Sequence, residues 1–320
     1  MKITANRLTL LRILLLPVPC LLLYGGPEAK ITALGVGSLL GLTDYFDGRL
    51  ARRQGVTRLG TLLDPIADKI FISVLYLILF RLNYLPLFIV APLLLREFLV
   101  TALRQIVPGN LPVSWLAKTK TALQMTGAAL VVLLNIFQEH TLLILTATTL
   151  LASVGVKFSS LGAEQKQKLW LGALLFPFLT LLPREHLPLC LGSLILGVTW
   201  LSAVDYLKGA SPYLSRAKLP RVIAPILLPM VAVLLIPETT GHFWLLALVL
   251  LVSELVRETF ALLKEERSNP HPWLFLGVAG IFFLLLPSPQ GKIAFLGVAC
   301  LASLWETFRK ALHYRQIFRQ

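Results

Sequence analysis

Apolar residues in this chain gather in long blocks separated by short polar, glycine or proline breaks. They follow neither the alternation of a half-buried strand nor the one-sided spacing of an amphipathic helix, and a block of about 20 is the length of a helix that crosses a ~30 Å hydrocarbon layer. Marking the breaks predicts about twelve such helices, over residues 8–24, 31–53, 61–81, 84–106, 116–137, 141–158, 168–183, 187–207, 221–237, 242–264, 272–287 and 291–312. The expected fold class is all-α: a polytopic helical membrane protein.

Lysine and arginine are retained on the cytoplasmic side of a membrane, so their distribution tests the count. Only Lys30, Arg81, Arg184 and Lys292 of the 30 basic residues fall in one set of alternate loops. The other set holds Lys2, Arg7, Arg49, Arg52, Arg53, Arg58, Lys118, Lys120, Lys166, Lys168, Lys208, Arg216, Lys218, Arg221, Arg267 and Arg315 among others. An even number of spans with both termini in the cytoplasm follows, as expected of a protein in a bacterial inner or cell membrane.

The second half repeats itself. LWLGALLFPFLTLLPREH followed by LGSLILGVTWLSAVDYLK parallels WLFLGVAGIFFLLLPSPQ followed by LGVACLASLWETFRKAL, and Pro183, Pro237 and Pro287 mark three turns, 54 and 50 residues apart. A helical hairpin of about fifty residues has been copied, and residues 116–158 look like a further relative. The polar stretch GAEQKQK, 162–168, is the seam between a first region, 1–165, and a second, 166–320.

Composition agrees with this reading and narrows it. Of 320 residues 56% are hydrophobic and 14% charged, with mean hydropathy +0.77, more apolar surface than a soluble interior can hide. The net charge of +14 is dealt out between apolar blocks, so it reports topology and no nucleic-acid partner is expected. Cys20, Cys190 and Cys300 lie singly in apolar stretches without metal-ligand spacing, as small hydrophobes do. The first block is interrupted by Arg12 and lacks a small-residue cleavage site, which marks a retained first span.

Four of the 16 acidic residues, Asp44, Asp47, Asp64 and Asp68, fall at or near the cytoplasmic ends of the second and third expected spans. A carboxylate there costs a few kcal/mol on insertion scales, so the cluster needs compensation. Asp44 and Asp47 share one helical face and Asp64 and Asp68 another, so two helices can aim four carboxylates into one space. Oxygen-only donors suit hard divalent ions such as magnesium or manganese, and no nearby histidine or cysteine suggests zinc. Gly48 and Ala51 are small enough for a ligand to approach the backbone closely, and Arg52 is placed to bind a phosphate. An interfacial network with Arg49, Arg52, Arg53, Arg58 and Lys69 is the plainer reading of any single aspartate.

The stretch DYFDGRLARRQGVTRLGTLLDPIADK, 44–69, resembles the signature of the CDP-alcohol phosphatidyltransferase family at Asp44, Asp47, Gly48, Ala51, Arg52, Gly60, Asp64 and Asp68. Two details differ from the usual pattern: the loop between Arg52 and Gly60 is one residue shorter, and Ala117 precedes Lys118 where glycine is usual. NRLTLLR, LDPIADK, LLREFLVTALR and SWLAKTKTALQM resemble the branch that makes phosphatidylglycerophosphate. The resemblance covers about residues 1–160. It implies a six-helix bundle in the first region, with about three further hairpins of unassigned role in the second.

The resemblance also implies roles. Asp44, Asp47, Asp64 and Asp68 would hold two Mg2+ or Mn2+ ions that neutralise the pyrophosphate of CDP-diacylglycerol. Asp68 would take the attacking hydroxyl's proton, and Gly48, Ala51, Arg52 and Gly60 would accommodate the nucleotide. Glycerol 3-phosphate as acceptor needs a second anion pocket, for which Arg96, Arg104, Lys118 and Lys120 are the candidates. The expected reaction gives phosphatidylglycerophosphate and CMP at the cytoplasmic face, among membrane lipids, in an enzyme the family implies to be a homodimer. Phosphatidylglycerol, inositol phosphate or serine are alternative acceptors, and a hairpin-built transporter is the alternative of another class. Of the remaining polar residues, Glu254 is expected to pair with Arg257 and Glu306 with Arg309 and Lys310, with Asp205 and Glu258 as further helix-end carboxylates. His140, His186 and His242 recur at the polar turns of the repeat.

Overall fold

The computed structural model describes residues 5–54, 60–107, 115–158, 166–167, 179, 181–239, 241–264, 270–285 and 287–313. Among them there is no strand. The helices are α1 (Ala5–Leu15), α2 (Pro17–Leu22), α3 (Pro27–Gln54), α4 (Gly60–Arg81), α5 (Leu87–Ile106), α6 (Trp115–Ile136), α7 (Thr141–Phe158), α8 (Leu187–Ala210), α9 (Leu219–Leu235), α10 (Trp244–Lys264), α11 (His271–Leu285) and α12 (Pro289–His313).

Helices occur at every expected position except the seventh, 168–183, which lies mostly outside the described residues. The first block is two short helices, because Pro17 and Pro19 withhold backbone donors just after α1. Asn83 closes α4 in the left-handed conformation, φ 58°, with Tyr84 N–H donating back to Leu79 O at 2.9 Å. Asparagine tolerates that conformation well, and extended Pro86 then starts α5, which turns the chain back on itself. Among the described residues, four helical stretches are both long and apolar enough to cross a membrane by composition: Gln138–Lys157, Arg184–Tyr213, Leu219–Glu238 and Pro289–Leu312. α5 and α10 miss that mark because they carry Arg96, Glu97 and Arg104, and Glu254, Arg257 and Glu258, all turned inward or toward a neighbouring helix.

Helix α5 is central. It packs on α4, α8, α9 and α10 and buries residues on most of its circumference, as a helix enclosed by others does. α8 runs parallel to it in a fixed register. Gly192 sits where an added Cβ would meet Leu85 Cδ2 at 2.8 Å and Ile89 Cδ1 at 3.0 Å, so only glycine lets the two helices come this close. Further along, the Trp200 indole donates to Pro92 O at 3.2 Å. α6 crosses the same helix in the opposite direction, with Gly127 against Ile195 and Gln124 against Thr199. The later hairpins stack like on like, α9 on α11 and α10 on α12, while α10 also packs on α4.

One apolar core runs through both regions. Leu77, Leu94 and Phe98 belong to the same buried cluster as Leu191, Leu228, Leu251 and Leu296. α7 lies at the edge, packed on α6, with Leu142, Leu143, Leu150, Leu151 and Val154 exposed, as lipid-facing positions are.

Candidate active site

The aspartate motif lies on two helices. Positions 44, 47, 48, 51 and 52 occupy the last turns of α3, and positions 60, 64 and 68 the first turns of α4. The side chains of Asp44, Asp47, Gly48, Ala51, Arg52, Gly60, Asp64 and Lys118 lie outside the described residues. The backbone alone sets Asp44 and Asp47, and Asp64 and Asp68, one turn apart along their helices.

Asp68 is reached by Arg12, whose Nη1 lies 3.3 Å from its Oδ1. α1 packs on both α3 and α4, so this short helix carries a cation to the acidic motif. The Arg12 side chain is 5% exposed and that of Asp68 is 36%, so the cation is buried behind a carboxylate that a substrate can still touch. A buried guanidinium needs such a partner, since an uncompensated charge in an apolar bundle costs several kcal/mol. The sequence showed Arg12 only as an interruption of the first block.

Beside this pair lies a cluster of cations. Lys120 Nζ is 2.5 Å from Glu97 Oε1, and Arg96 Nη1 is 3.4 Å from the same oxygen. Lys69, the residue after Asp68, donates to Thr101 Oγ1 at 2.8 Å, and that hydroxyl donates to Glu97 O at 2.7 Å. Lys69 and Lys120 each lie within electrostatic range of Glu97, Arg96 and Arg104. Among the described residues of this cluster, cations outnumber the carboxylate they flank. Arg96 Nε is buried with no hydrogen-bond partner among the described residues, a donor suited to an oxygen ligand.

Three of the four acceptor candidates, Arg96, Arg104 and Lys120, thus come together in one cluster. Sequence reasoning passed over Glu97, Thr101, Ser202 and Tyr206, and weighed Lys69 only as an interfacial partner of the aspartates. Glu97 had a visible signal, an acid in an apolar block beside Arg96. Ser202 and Tyr206 had none, because they meet the cluster only through the packing of α8 on α5: Ser202 accepts from Arg96 Nη2 at 2.7 Å and Tyr206 from Arg104 Nη2 at 2.9 Å.

The other polar residues are held locally or between late helices. Arg257 bridges Glu254 at 2.5 Å and Glu258 at 2.7 Å under the Trp273 ring, and Ser303 donates to Glu254 at 2.5 Å. Glu258 also accepts from Gln105 of α5. Glu306 pairs with Arg309 at 2.7 Å. Asp205 is exposed, as are His140, His186 and His242 at the turns before α7, α8 and α10. Cys20 and Cys300 are buried and Cys190 is half-buried, none in a disulfide.

An all-helical membrane bundle with an acidic motif on two helices and a cluster of cations beside it carries charges that suit phosphate esters. The sequence pattern of the CDP-alcohol phosphatidyltransferases matches residues 2–159. A CDP-diacylglycerol–glycerol-3-phosphate 3-phosphatidyltransferase of Rickettsia bellii is 40% identical over 133 residues, 40% of this chain and 74% of the relative. A probable phosphatidylglycerophosphate synthase of Mycobacterium tuberculosis is 42% identical over 136 residues, 40% of this chain and 65% of that protein. A CDP-diacylglycerol–glycerol-3-phosphate 3-phosphatidyltransferase of Bacillus subtilis is 32% identical over 148 residues, 41% of this chain and 77% of its own length. No solved structure matches. The chain belongs to the CDP-alcohol phosphatidyltransferase family, and its residues beyond 159 lie outside the region the family pattern matches.

Proposed function

We propose that this protein transfers the phosphatidyl group of CDP-diacylglycerol to glycerol 3-phosphate, giving phosphatidylglycerophosphate and CMP. The observation that carries the acceptor assignment is the cluster of Lys69, Arg96, Arg104 and Lys120 around Glu97, next in sequence to Asp68. An uncharged acceptor has no use for that surplus charge, whereas a phosphate monoester compensates it. The names of the relatives from Rickettsia bellii and Bacillus subtilis support the same acceptor.

In this reading Asp44, Asp47, Asp64 and Asp68 hold two divalent ions, Mg2+ or Mn2+. The donor chemistry suits such ions, because carboxylates are hard oxygen ligands. When bound, such ions neutralise the pyrophosphate as its P–O bond breaks. Gly48, Ala51, Arg52 and Gly60 receive the cytidine and its phosphates. Asp68 accepts the proton of the glycerol hydroxyl as that oxygen attacks the phosphatidyl phosphorus, and CMP leaves with the bridging oxygen. Arg12 keeps Asp68 oriented. Arg96, Arg104, Lys118 and Lys120 bind the acceptor's phosphate.

About twelve spans, both termini and the site in the cytoplasm of a bacterial membrane, and a homodimeric assembly complete the proposal, supported by the one-sided distribution of basic residues and by the family. Residues 1–165 form its catalytic region and 166–320 the added hairpins. Purified protein given labelled CDP-diacylglycerol with glycerol 3-phosphate, phosphatidylglycerol, inositol phosphate or serine tests it. CMP release with glycerol 3-phosphate is the expected result; release with another acceptor alone would overturn the assignment.

A further inference from the structure

Helix α8 lies beyond the region matched by the family pattern, yet two of its side chains hold cations assigned above to the acceptor's phosphate. Ser202 Oγ accepts from Arg96 Nη2 at 2.7 Å and is anchored by donating to Thr199 O at 2.6 Å. Tyr206 Oη accepts from Arg104 Nη2 at 2.9 Å. The Tyr206 ring also faces both guanidinium groups, 5.1 Å from Arg104 Cζ and 5.8 Å from Arg96 Cζ. Ser202 and Tyr206 are both buried. They stand four residues apart, so both are on the side of α8 that meets α5. Gly192 against Leu85 and Ile89, and Trp200 against Pro92 O, fix that side in register along α5.

A guanidinium recognises a phosphate through a planar fork of donors, and recognition is strongest when the plane is set before the ligand arrives. Among the described residues, the side chains of α4, α5 and α6 do not set both planes. Glu97 takes only one nitrogen of Arg96, and the hydrogen bond of Arg104 goes to α8. With Ser202 holding Nη2, the buried Nε of Arg96 is left as a donor with a defined direction.

We propose that Ser202 and Tyr206 are positioning residues of the acceptor subsite, so that the added half of the chain completes the pocket for the phosphate of the acceptor alcohol. The proposal rests on the reading that Arg96 and Arg104 receive that phosphate.

Ser202→Ala and Tyr206→Phe in the full chain, reconstituted in nanodiscs, test it, with Arg96→Gln and Arg104→Gln as references. The readouts are KM for glycerol 3-phosphate, KM for CDP-diacylglycerol, kcat, and the rise in melting temperature that glycerol 3-phosphate alone produces. Ser202→Ala and Tyr206→Phe are each expected to raise the acceptor KM about five- to twentyfold, the loss of one hydrogen bond to a charged group. The KM for CDP-diacylglycerol stays within about twofold of the parent, and the melting shift given by glycerol 3-phosphate shrinks. If the two arginine variants raise the acceptor KM while Ser202→Ala and Tyr206→Phe leave it unchanged, the positioning role is overturned and the acceptor site survives. If the arginine variants leave it unchanged, the underlying reading falls and the proposal with it. A fall in kcat and in the ligand-free melting temperature with no change in acceptor KM shows a purely structural role and also overturns it.

Discussion

Among the described residues, Glu97 is the carboxylate that pairs with both Lys120 and Arg96, and replacing it with glutamine removes the charge while keeping the shape. At an effective dielectric of ~20, unit charges at the distances of Lys120 and Arg96, 2.5 Å and 3.4 Å, attract Glu97 by about 5–7 kcal/mol each before desolvation. Much of that attraction offsets the cost of burying the charges, and breaking such a pair by removing one partner costs about 3–5 kcal/mol. Lys69 and Arg104 nearby add repulsion once the carboxylate is neutral. Glu97→Gln is therefore expected to destabilise the protein by about 3–5 kcal/mol, or roughly 5–15 °C in melting temperature, followed by tryptophan fluorescence in detergent micelles. Lys120→Met on the Glu97→Gln background removes the cation that needed the carboxylate, and about 1–3 kcal/mol should return as a coupling term. A Glu97→Gln protein that melts within about 1 °C of the parent, or two substitutions whose costs simply add, would refute the claim that this carboxylate holds the cluster together.

Gly192→Leu should cost about 1–3 kcal/mol by driving α8 off Leu85 and Ile89, whereas Gly197→Leu on the same helix, where an added Cβ meets nothing within 4 Å, should be near neutral; equal melting temperatures would refute the close approach. Asp68→Asn should lower CMP release by about 10²–10⁴-fold, as loss of a general base does, while Arg12→Gln should lower kcat by a smaller factor; an unchanged rate in Asp68→Asn would remove it from the chemistry. Chelation with EDTA should abolish CMP release, and magnesium or manganese but not calcium should restore it, as the demand for compact octahedral oxygen coordination predicts; activity that persists after chelation would rule out the divalent requirement. Residues 1–165 expressed alone should lose most activity, because Leu94, Phe98 and Leu77 lose core neighbours and Arg96 and Gln105 lose Ser202 and Glu258; full activity would refute a required role for the added hairpins.

Helix positions were legible along the chain because membrane insertion acts on local composition. A block of apolar residues between breaks satisfies its own backbone and needs no distant partner to be a helix, so α3 to α7 and α8 to α12 fall close to where the pattern puts them. The acidic motif was legible for a related reason: its spacings are set by one helical turn, and carboxylates in apolar blocks stand out. The i, i+3 pairs Glu254–Arg257 and Glu306–Arg309 belong to the same class.

What the linear pattern could not supply was which helices would meet. Two proline-split helices bring Arg12 to Asp68 across 56 positions, and glycine-lined packing brings Ser202 and Tyr206 to Arg96 and Arg104 across more than a hundred. Nothing about a serine or a tyrosine in an apolar stretch reports such a partner. The sequence by itself determined that the chain is a set of apolar helices with an acidic motif and basic residues dealt out between its apolar blocks, because each of those properties is local. Only the tertiary structure decided that the added hairpins share a core with the first region and reach its cations, because a buried charge is satisfied by whatever side chain the packing delivers, from any distance along the chain.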